Sequence, residues 1–295
     1  MIPFNEAKNI VESYLFELGN ETVGLNKSSG RILAEDVTAS IPSPRFDNSA
    51  MDGYAVRAVD TKGASKKNPV TLKIISISSA GSPAADEIGP GECIQCMTGA
   101  VIPQGADAIV MVEDTSGFSD GKIVQIFLEA HESKHIRKKG EELSEGDLLI
   151  SKGTLVTASE IGSCATFGYE KLTVSQKPKI AIFGTGNELV EPGNDLKSGQ
   201  IYNSNLYIFA DLAEKVGAEV IMRDVLKDEK DSLRQFLSRA LATSHMVISS
   251  GGVSMGRYDY VRDVFMELGV EEHFWKVAQK PGKPIFFGTG QDTLI

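Results

Sequence analysis

The sequence predicts a multidomain protein in which an α/β domain is joined to a small β domain. At 295 residues, the chain is longer than a typical single domain. Between residues 70 and 126, short β-prone runs are separated by clusters of Gly, Pro, Asn and Asp. From Lys179 onward, strands and helices alternate at the spacing of βαβ units, which indicates a parallel sheet with helices on both faces.

The N-terminal segment MIPFNEAKNIVESYLFELG is predicted to form an amphipathic helix. Its apolar residues recur at helical spacing, and Gly19 stands where a helix would end. Acids lie within the apolar pattern, unlike a signal peptide, so we expect a cytoplasmic protein. The apolar positions are Phe4, Ala7, Ile10, Val11, Tyr14 and Leu15.

The remaining elements are predicted in two groups. The β domain contains the runs VTLKIISIS, ADAIVMVED and GKIVQIFL. The α/β domain contains the strands KIAIF, EVIMRDV, HMVIS and HFWKV and the helices NLYIFADLAEKV, DSLRQFLSRAL and YVRDVFMEL. Residues 24–41 and 144–168, which lie before and after the β domain, are predicted to be connecting pieces.

The composition limits the partners and the redox environment. Thirty Lys and Arg against forty Asp and Glu give a net charge of −10, which argues against nucleic acid and anionic membranes as partners. No apolar run approaches the about 20 residues that a membrane helix needs. Three cysteines are too few for a disulfide framework and indicate a reducing compartment. Cys93 and Cys96 form a C-x-x-C in a strand-like run, so we expect ordinary buried thiols.

The run PRFDNSAMDGYAV, residues 44–56, concentrates polar side chains between apolar flanks and indicates a site. Asp47 and Asp52 can accept a metal ion or a proton, and Asn48 and Ser49 can donate and accept hydrogen bonds. Gly53 is expected to permit a backbone turn. The alternative is a structural turn rich in Asn and Asp, which stays open from this run alone.

Polar, glycine-rich segments follow each predicted strand of the α/β domain. They are GTGNELVEPG, LKDEKD, SGGVSMGRYDY and AQKPGKP. Ligands bind at the carboxyl ends of strands in open α/β sheets. Glycine amides there suit an anion, acids suit magnesium and lysines suit phosphate, so we expect a magnesium-assisted reaction on an anionic substrate. The charged residues expected to converge are Glu188, Asp228, Asp259, Lys276, Lys280 and Lys283.

Two glycine motifs in these segments suggest other functions, but the residues around them argue against those functions. Gly184-Thr185-Gly186 begins like a dinucleotide fingerprint, but Leu189 occupies the third glycine position. Residues 252–256 match G-x-S-x-G, but the histidine that follows, His273, does not complete the order expected of a hydrolase triad. Ser254 is therefore interpreted as an anion or ligand contact.

Residues 131–135 match the zinc motif H-E-x-x-H. Lys134 and the basic run 137–139 would crowd cations around a metal, and the segment runs into Gly140 rather than lying within a long helix. A solvated charged loop is the favoured interpretation, and a loop that reaches a ligand on another domain or subunit is the alternative.

Six motifs in order make the chain resemble the molybdopterin molybdenumtransferase family, the MoeA proteins and the E domain of gephyrin. The motifs are PRFDNSAMDGYAV, CMTGAVIPQGADAIVMVED, IRKKGEEL, GTGNELVEPG with GQIYNSN, SGGVSMGRYDYV and KPGKP. The resemblance implies insertion of molybdate into adenylylated molybdopterin, with release of AMP and a requirement for Mg2+. A molybdopterin adenylyltransferase would then be the pathway partner that supplies the substrate.

The resemblance also implies roles for residues at matching positions. The implied catalytic residues are Asp52, Glu188, Asp228, Asp259, Lys276, Lys280 and Lys283. The implied substrate-binding residues are Asp47, Ser49, Thr98, Glu142, Ser250, Gly251, Gly252, Ser254, Pro281 and Pro284. Glu188, Asp228 and Asp259 would hold Mg2+ against the pyrophosphate link.

The family fold implies three domains and a homodimer. A three-layer α/β molybdopterin-binding domain with a parallel-type sheet would comprise residues 1–22 and 173–295. An elongated linking domain would comprise residues 23–42 and 144–172, and the β domain residues 43–143. In the implied dimer the first motif of one subunit faces the α/β site of the other, so the site is shared between subunits.

The sequence also departs from the family pattern. It stops at Leu294-Ile295, before the Gly-Leu-Pro-Gly-Asn-Pro loop and the C-terminal β domain, which we therefore expect to be lacking. Glu142 stands where aspartate is common, and Arg257 where an acid is frequent. A second function consequently stays open, that of a catalytically weak pterin-nucleotide-binding or scaffold protein of the same family.

Overall fold

The computed structural model describes residues 1–118, 121–252 and 260–295. These residues form two compact units. The first unit contains residues 1–35, 153–161 and 170–295, and the second contains residues 36–152 and 162–169. The three domains implied by the resemblance remain a prediction.

The elements are numbered in chain order. The α-helices are α1 (Phe4–Ser13), α2 (Ala158–Thr166), α3 (Asn205–Lys215), α4 (Lys230–Thr243) and α5 (Val261–Glu267). Short 3-10 helices span Leu25–Lys27, Ala58–Thr61 and Val112–Asp114. The strands are β1 (Asn20–Gly24), β2 (Val37–Thr38), β3 (Asn48–Ser49), β4 (Gly53–Val56), β5 (Ser65–Ser78), β6 (Glu92–Cys96), β7 (Ala108–Met111), β8 (Ile123–Leu128), β9 (Ile136–Arg137), β10 (Leu148–Ile150), β11 (Lys171–Ser175), β12 (Lys179–Thr185), β13 (Leu189–Val190), β14 (Ile201–Tyr202), β15 (Glu219–Leu226), β16 (Met246–Ser250), β17 (Glu271–Trp275), β18 (Phe286–Gly290) and β19 (Thr293–Leu294).

The first unit is built on a six-stranded sheet in the order β15-β12-β16-β19-β18-β17. Strand β12 is parallel to β15 and to β16, and β16 is parallel to β19. Strand β18 is antiparallel to both of its neighbours, β19 and β17. The four strands predicted from the sequence therefore run in one direction, and the sheet is mixed because of β18, which the sequence analysis missed.

Helices cover both faces of this sheet, as the alternation predicts. On one face, Phe183 and Val247 pack with Leu233 and Leu237 of α4 and Phe265 of α5. Successive side chains of a strand point to opposite faces. The neighbouring residues Ile182 and Ile248 accordingly pack in a second cluster with Leu206 of α3. The α/β fold is thus confirmed, with a layer of helices on each side.

Helix α1 ends earlier than predicted, at Ser13 rather than at Gly19. Its buried Ala7 packs with Phe274, Phe287 and Leu294, on the face of β17 and β18. Tyr14 leaves the helix and its ring stacks on His273 with centroids 3.9 Å apart, which explains the early end. Phe4, predicted to be on the apolar face, is 57% exposed.

The second unit contains a five-stranded sheet in the order β7-β4-β6-β5-β8. The three predicted β runs correspond to β5, β7 and β8. Strand β4 lies between β7 and β6 and is buried throughout. The prediction that Gly53 forms a turn is wrong, because Gly53 begins β4. Gly53 allows the backbones of β4 and β7 to approach closely, because a Cβ there would lie 2.0 Å from the carbonyl oxygen of Val110.

The cysteines are free and buried, as predicted. Cys93 and Cys96 lie in β6, and burial raises the pKa of their thiols to about 12 and about 11 respectively. Helix α2 was not predicted, because its segment was assigned to a connecting piece. None of the helices in the described ranges has the length and apolar character required to span a membrane.

Candidate functional site

Three parallel strands of the first unit end at one edge of the sheet. Strand β12 ends at Thr185, β15 at Leu226 and β16 at Ser250. The register pairs Thr185 with Leu226 and Gly184 with Ser250, so the three ends lie side by side. The Thr185 hydroxyl donates a hydrogen bond of 2.5 Å to a carboxylate oxygen of Asp228. The structure thus ties the predicted Asp228 to the end of the neighbouring strand.

The glycine turn after β16 packs against the same threonine. Gly251 and Gly252 have φ of 95° and 76°, in the left-handed region that favours glycine. A Cβ on Gly252 would lie 2.3 Å from Cγ2 of Val261 and 2.7 Å from Cγ2 of Thr185. Only glycine allows this backbone to lie so close to β12 and α5.

The loop after β12 carries the predicted Glu188. A Cβ on Gly186 would lie 2.6 Å from each carboxylate oxygen of Glu188, so the acid lies directly over this glycine. At the start of α3, Asn205 donates a hydrogen bond of 2.8 Å to the hydroxyl of Ser250. Helix α3 is thereby linked to the end of β16.

The segment between β17 and β18 lies at this same edge, because Trp275 pairs with Phe286 across the two strands. It contains Lys276, the cis peptide bond Lys280-Pro281, Lys283 and Pro284. The amide of Val277 donates to the carbonyl oxygen of Lys283 at 3.0 Å, which closes the turn. The Lys276 ammonium lies 3.9 Å from the centroid of the Trp275 ring.

A cavity of about 300 Å³ lies along β16, β18 and β19, and Ser249 and Pro284 are among the residues that line it. A larger apolar cavity of about 540 Å³ lies elsewhere on the sheet. Its lining includes Pro178 and His245, which precede β12 and β16. It therefore lies at the amino ends of the strands, away from the predicted site.

In the second unit, Asp52 binds Thr98. One carboxylate oxygen of Asp52 accepts hydrogen bonds from the Thr98 amide at 2.7 Å and the Thr98 hydroxyl at 2.9 Å. These bonds, the amide first, lower the pKa of Asp52 below its ordinary value. Thr98 thus holds an exposed, ionised carboxylate in one orientation.

The first motif also contacts the basic loop, because β3 pairs with β9. Asp47 accepts a hydrogen bond of 2.8 Å from the amide of Lys139 and one of 3.0 Å from the ammonium of Lys138, and its pKa is lowered for these reasons. The guanidinium of Arg137 forms an ion pair with Glu142. Ionic contacts within the unit therefore compensate two cations of this loop.

The H-E-x-x-H segment forms turns rather than a helix. Ser133 and His135 have φ of 65° and 57°, which a helix does not allow. In the described residues, no group of three or more His, Cys, Asp or Glu side chains could hold a metal ion. Asp259 lies outside those residues, so the set predicted to hold Mg2+ remains a prediction.

The predicted site residues fall into three groups. Those in the first unit are Glu188, Asp228, Ser250, Gly251, Gly252, Lys276, Lys280, Pro281, Lys283 and Pro284. Those in the second unit are Asp47, Ser49, Asp52, Thr98 and Glu142. Ser254 and Asp259 lie outside the described residues.

The sequence analysis missed three residues that organise this edge, namely Thr185, Asn205 and Trp275. Thr185 and Asn205 lie inside the quoted motifs GTGNELVEPG and GQIYNSN, so attention to every polar side chain there could have found them. Trp275 carries a weaker signal, because an aromatic residue in a strand is more often part of a core.

Comparisons with known proteins agree with the motifs. Residues 2–168 match the family model described as the MoeA N-terminal region (domain I and II), and residues 181–294 match a probable molybdopterin binding domain. A molybdopterin molybdenumtransferase of Staphylococcus aureus (strain MSSA476) is 39% identical over 281 residues, covering 95% of this chain and 67% of that protein. One of Bacillus subtilis (strain 168) is 37% identical over 296 residues, covering 100% of this chain and 69% of that protein.

Solved structures show the same likeness along the whole chain. The crystal structure of a molybdopterin biosynthesis MoeA protein from Pyrococcus horikoshii has a TM-score of 0.86 and 35% sequence identity, covering 100% of this chain and 73% of that one. With family models matched over most of the sequence and curated relatives above 30% identity, the chain belongs to the MoeA family of molybdopterin molybdenumtransferases, proteins of molybdenum cofactor biosynthesis.

Proposed function

We propose that this chain inserts molybdate into adenylylated molybdopterin, with release of AMP, in a reaction that requires Mg2+. The adenylylated substrate would come from a molybdopterin adenylyltransferase. Family membership supports the transferase activity, and the edge formed by the ends of β12, β15 and β16 supports the chemistry. The observation that carries the proposal is the bond between Thr185 and Asp228, which fixes an acid beside a glycine turn.

The groups at this edge match an anionic substrate. Backbone amides of a glycine turn can bind phosphate oxygens, and Gly251 and Gly252 form such a turn. Lysine ammonium groups bind phosphate and molybdate as point charges. Lys276, Lys280 and Lys283 all belong to the segment at the same edge.

The acids at the edge fit magnesium by donor type. Mg2+ prefers hard oxygen ligands and usually binds through one or two carboxylates together with substrate phosphates. Glu188 and Asp228 provide such carboxylates, and Asp259 is the third acid assigned by the resemblance. When bound, the ion would neutralise charge on the phosphate oxygens.

Cleavage of the phosphoanhydride in this scheme depends on positioning. A water oxygen attacks the adenylyl phosphorus, and the bond from that phosphorus to the bridging oxygen breaks. The water oxygen becomes part of AMP, the bridging oxygen leaves on the pterin phosphate, and a proton is released to solvent. Phosphoryl transfer needs aligned reactants and charge stabilisation more than a protein nucleophile. The lysines and the glycine turn supply those two requirements in this chain.

We further propose that two copies of the chain assemble, so that the first motif of one subunit completes the site of the other. The oriented carboxylate of Asp52 supports a functional role for that motif. Light scattering coupled to size exclusion should give the mass of two chains. If only single chains are found at working concentrations, the shared site is contradicted.

The test of the proposed function is AMP release from adenylylated molybdopterin by the purified chain, with Mg2+ and with molybdate added or withheld. Molybdate-dependent release is expected. Lys280→Ala and Asp228→Asn should fold normally and lose at least about 90% of the rate, given the charges they remove. The matched control is Asp211→Asn, because Asp211 pairs with Lys215 on the exposed surface of α3. Binding of substrate without release would instead support the pterin-nucleotide-binding or scaffold alternative.

A further inference from the structure

The loop between β12 and α3, residues 186–204, carries Glu188 and contains the strand pair β13 and β14. The amide of Ile201 donates a hydrogen bond of 2.9 Å to the carbonyl oxygen of Glu188. Two residues further along each strand, the amide of Asn203 donates one of 2.9 Å to the carbonyl oxygen of Val190. The backbone at Glu188 is therefore fixed relative to the residues that enter α3.

Asn203 is a polar residue at the end of this loop, and only 2% of its surface is exposed. Its side-chain amide donates a hydrogen bond of 2.9 Å to one carboxylate oxygen of Glu191. Its side-chain carbonyl oxygen accepts one of 3.4 Å from the amide of Leu206 in α3. Buried polar groups are costly unless they are hydrogen-bonded, and here both ends of the side chain are used. Asn203 thus joins the first turn of α3 to the part of the loop that follows Glu188.

The other carboxylate oxygen of Glu191 is also bonded. It accepts a hydrogen bond of 2.9 Å from the hydroxyl of Tyr207 in α3. The ring of Tyr207 lies under the guanidinium of Arg223, which is 4.4 Å from the ring centroid. Hydrogen bonds to a charged carboxylate are stronger than those between neutral groups. Glu191 therefore anchors the loop to the start of α3 through two donors.

Glu188 and Glu191 have different surroundings within the same loop. Both oxygens of Glu191 are used within the fold, as the bonds to Asn203 and Tyr207 show. Glu188 is exposed, and its side chain forms no hydrogen bond or ion pair within the part of the chain that the structure describes. One acid of the loop is an anchor, and the other is available to a ligand at the carboxyl edge of the sheet.

We propose that Glu191 and Asn203 are positioning residues for Glu188, holding its carboxylate where it binds the divalent cation of the reaction. The inference rests on the proposed function, because that function supplies the cation. Mg2+ demands near-octahedral geometry, so each carboxylate ligand must approach from a defined direction. A loop that is ordered beforehand avoids the entropy cost of ordering when the cation binds. Loss of the anchor should weaken cation binding although Glu188 itself is unchanged.

The experiment is a double-mutant cycle on the full chain, with Mn2+ as the probe in place of Mg2+ and with AMP present. Electron paramagnetic resonance of free Mn2+ gives Kd without any turnover. Glu191→Ala should raise Kd by about fivefold, within the range for the cost of ordering groups at a binding site. In the Glu188→Gln background, the same substitution should change Kd by less than about 1.5-fold, because the ligand that it positions is gone. An equal loss in both backgrounds would overturn the inference.

Three further variants separate positioning from charge and from folding. Glu191→Gln removes the charge but keeps the length and the capacity to bond to Asn203 and Tyr207, so Kd should stay within about 1.5-fold of the wild type. Tyr207→Phe removes only one donor and should raise Kd by about two- to threefold. Glu214→Ala removes an exposed acid of α3 and should keep the wild-type Kd. A loss in Glu191→Gln or in Glu214→Ala as large as in Glu191→Ala would show that charge is responsible and would overturn the inference.

Amide hydrogen exchange gives an independent readout of the loop. In Glu191→Ala, the amides of Ile201 and Asn203 should exchange faster than in the wild type, whereas those of α4 should be unchanged. Unchanged exchange in the loop would overturn this inference and leave the proposed function, measured as AMP release by the wild type, standing. Absence of AMP release by the wild type, together with no binding of Mn2+ in the presence of AMP, would overturn both.

Discussion

Thr185 and Asp228, which are 43 residues apart in the sequence, are joined by a hydrogen bond of 2.5 Å between hydroxyl and carboxylate. Thr185 ends β12, and Asp228 follows the end of β15. Because the two strands are parallel and adjacent, their ends bring the two side chains to one edge. The hydrogen bond orients Asp228, an acid of the proposed site. Its donor, Thr185, was not identified as a site residue by the sequence analysis.

Replacing this threonine should therefore affect activity more than folding. Thr185→Val keeps the shape of the side chain and removes the donor, and a hydrogen bond to a charged group contributes about 1.5–3 kcal/mol. We expect AMP release to fall by about tenfold or more, measured in the same assay as for the wild type. Thr243→Val, at the exposed end of α4, is the matched control and should retain the wild-type rate. A wild-type rate in Thr185→Val would show that the bond does not orient Asp228 for the reaction.

The packing of the glycine turn predicts that alanine substitutions at two glycines destabilise the chain by different amounts. Gly252→Ala must accommodate a Cβ that meets Val261 and Thr185, as well as a φ of 76°. Gly193→Ala, with φ of 96° and nothing within 4 Å of the added Cβ, carries the conformational cost alone. That cost is about 1–2 kcal/mol. We expect Gly252→Ala to lower the free energy of unfolding by clearly more than Gly193→Ala does. Chemical denaturation of both variants measures this difference. Similar losses in the two variants would contradict the packing of this turn.

The Asp52–Thr98 contact predicts a dependence of stability on pH. The pKa of Asp52 is lowered from its ordinary 3.8, chiefly by the amide of Thr98 and then by its hydroxyl. A lowered pKa stabilises the folded state above the ordinary value, and this stabilisation is lost as the pH falls through the folded pKa. The wild type should therefore be more resistant to urea than Asp52→Asn at about pH 7, and the difference should shrink towards about pH 3.

The control for this experiment is Asp86→Asn, which alters an exposed aspartate in the loop before β6. Its urea midpoint should follow that of the wild type across the same pH range. A constant difference between the wild type and Asp52→Asn at every pH would contradict the assignment of the effect to ionisation of Asp52.

The buried cysteines predict low reactivity. Burial is the main cause that raises the pKa of the Cys93 thiol to about 12 and that of Cys96 to about 11, so the reactive thiolate is scarce near neutral pH. With Ellman's reagent, the folded chain should react slowly, and all three thiols should react promptly in urea. Rapid reaction of the folded chain, or a disulfide between Cys93 and Cys96, would contradict this prediction and favour a redox role.

Local pattern predicted four of the five α-helices in the described residues and the strands β5, β7, β8, β12, β15, β16 and β17. The predicted helix NLYIFADLAEKV coincides with α3 to within one residue, and DSLRQFLSRAL lies within α4. Their apolar spacing reflects burial against the sheet, so it is readable without the fold. The end of α1 was not readable, because it depends on contact between Tyr14 and His273, far away in the sequence.

For the candidate site, the residue types and their approximate grouping were readable, and their contacts were not. Acids, lysines and glycines after strand-like runs indicated an anion site, since strand ends share an edge in a parallel sheet. The antiparallel strand β18 was missed; it begins at that edge, directly after the lysine segment, and runs away from it. Gly53 was misread because the need for close approach to Val110 arises only between paired strands.

By itself, the sequence determined the alternation of elements, the identity of the polar segments after the strands and the family, because these depend on local periodicity and motif order. Tertiary structure alone decided that Thr185 binds Asp228, that Lys276 lies over Trp275 and that Thr98 orients Asp52. Those contacts depend on strand order and register, which follow from packing over the whole sheet. Sheet pairing joins residues that are distant in sequence, and no local pattern encodes which of them will meet.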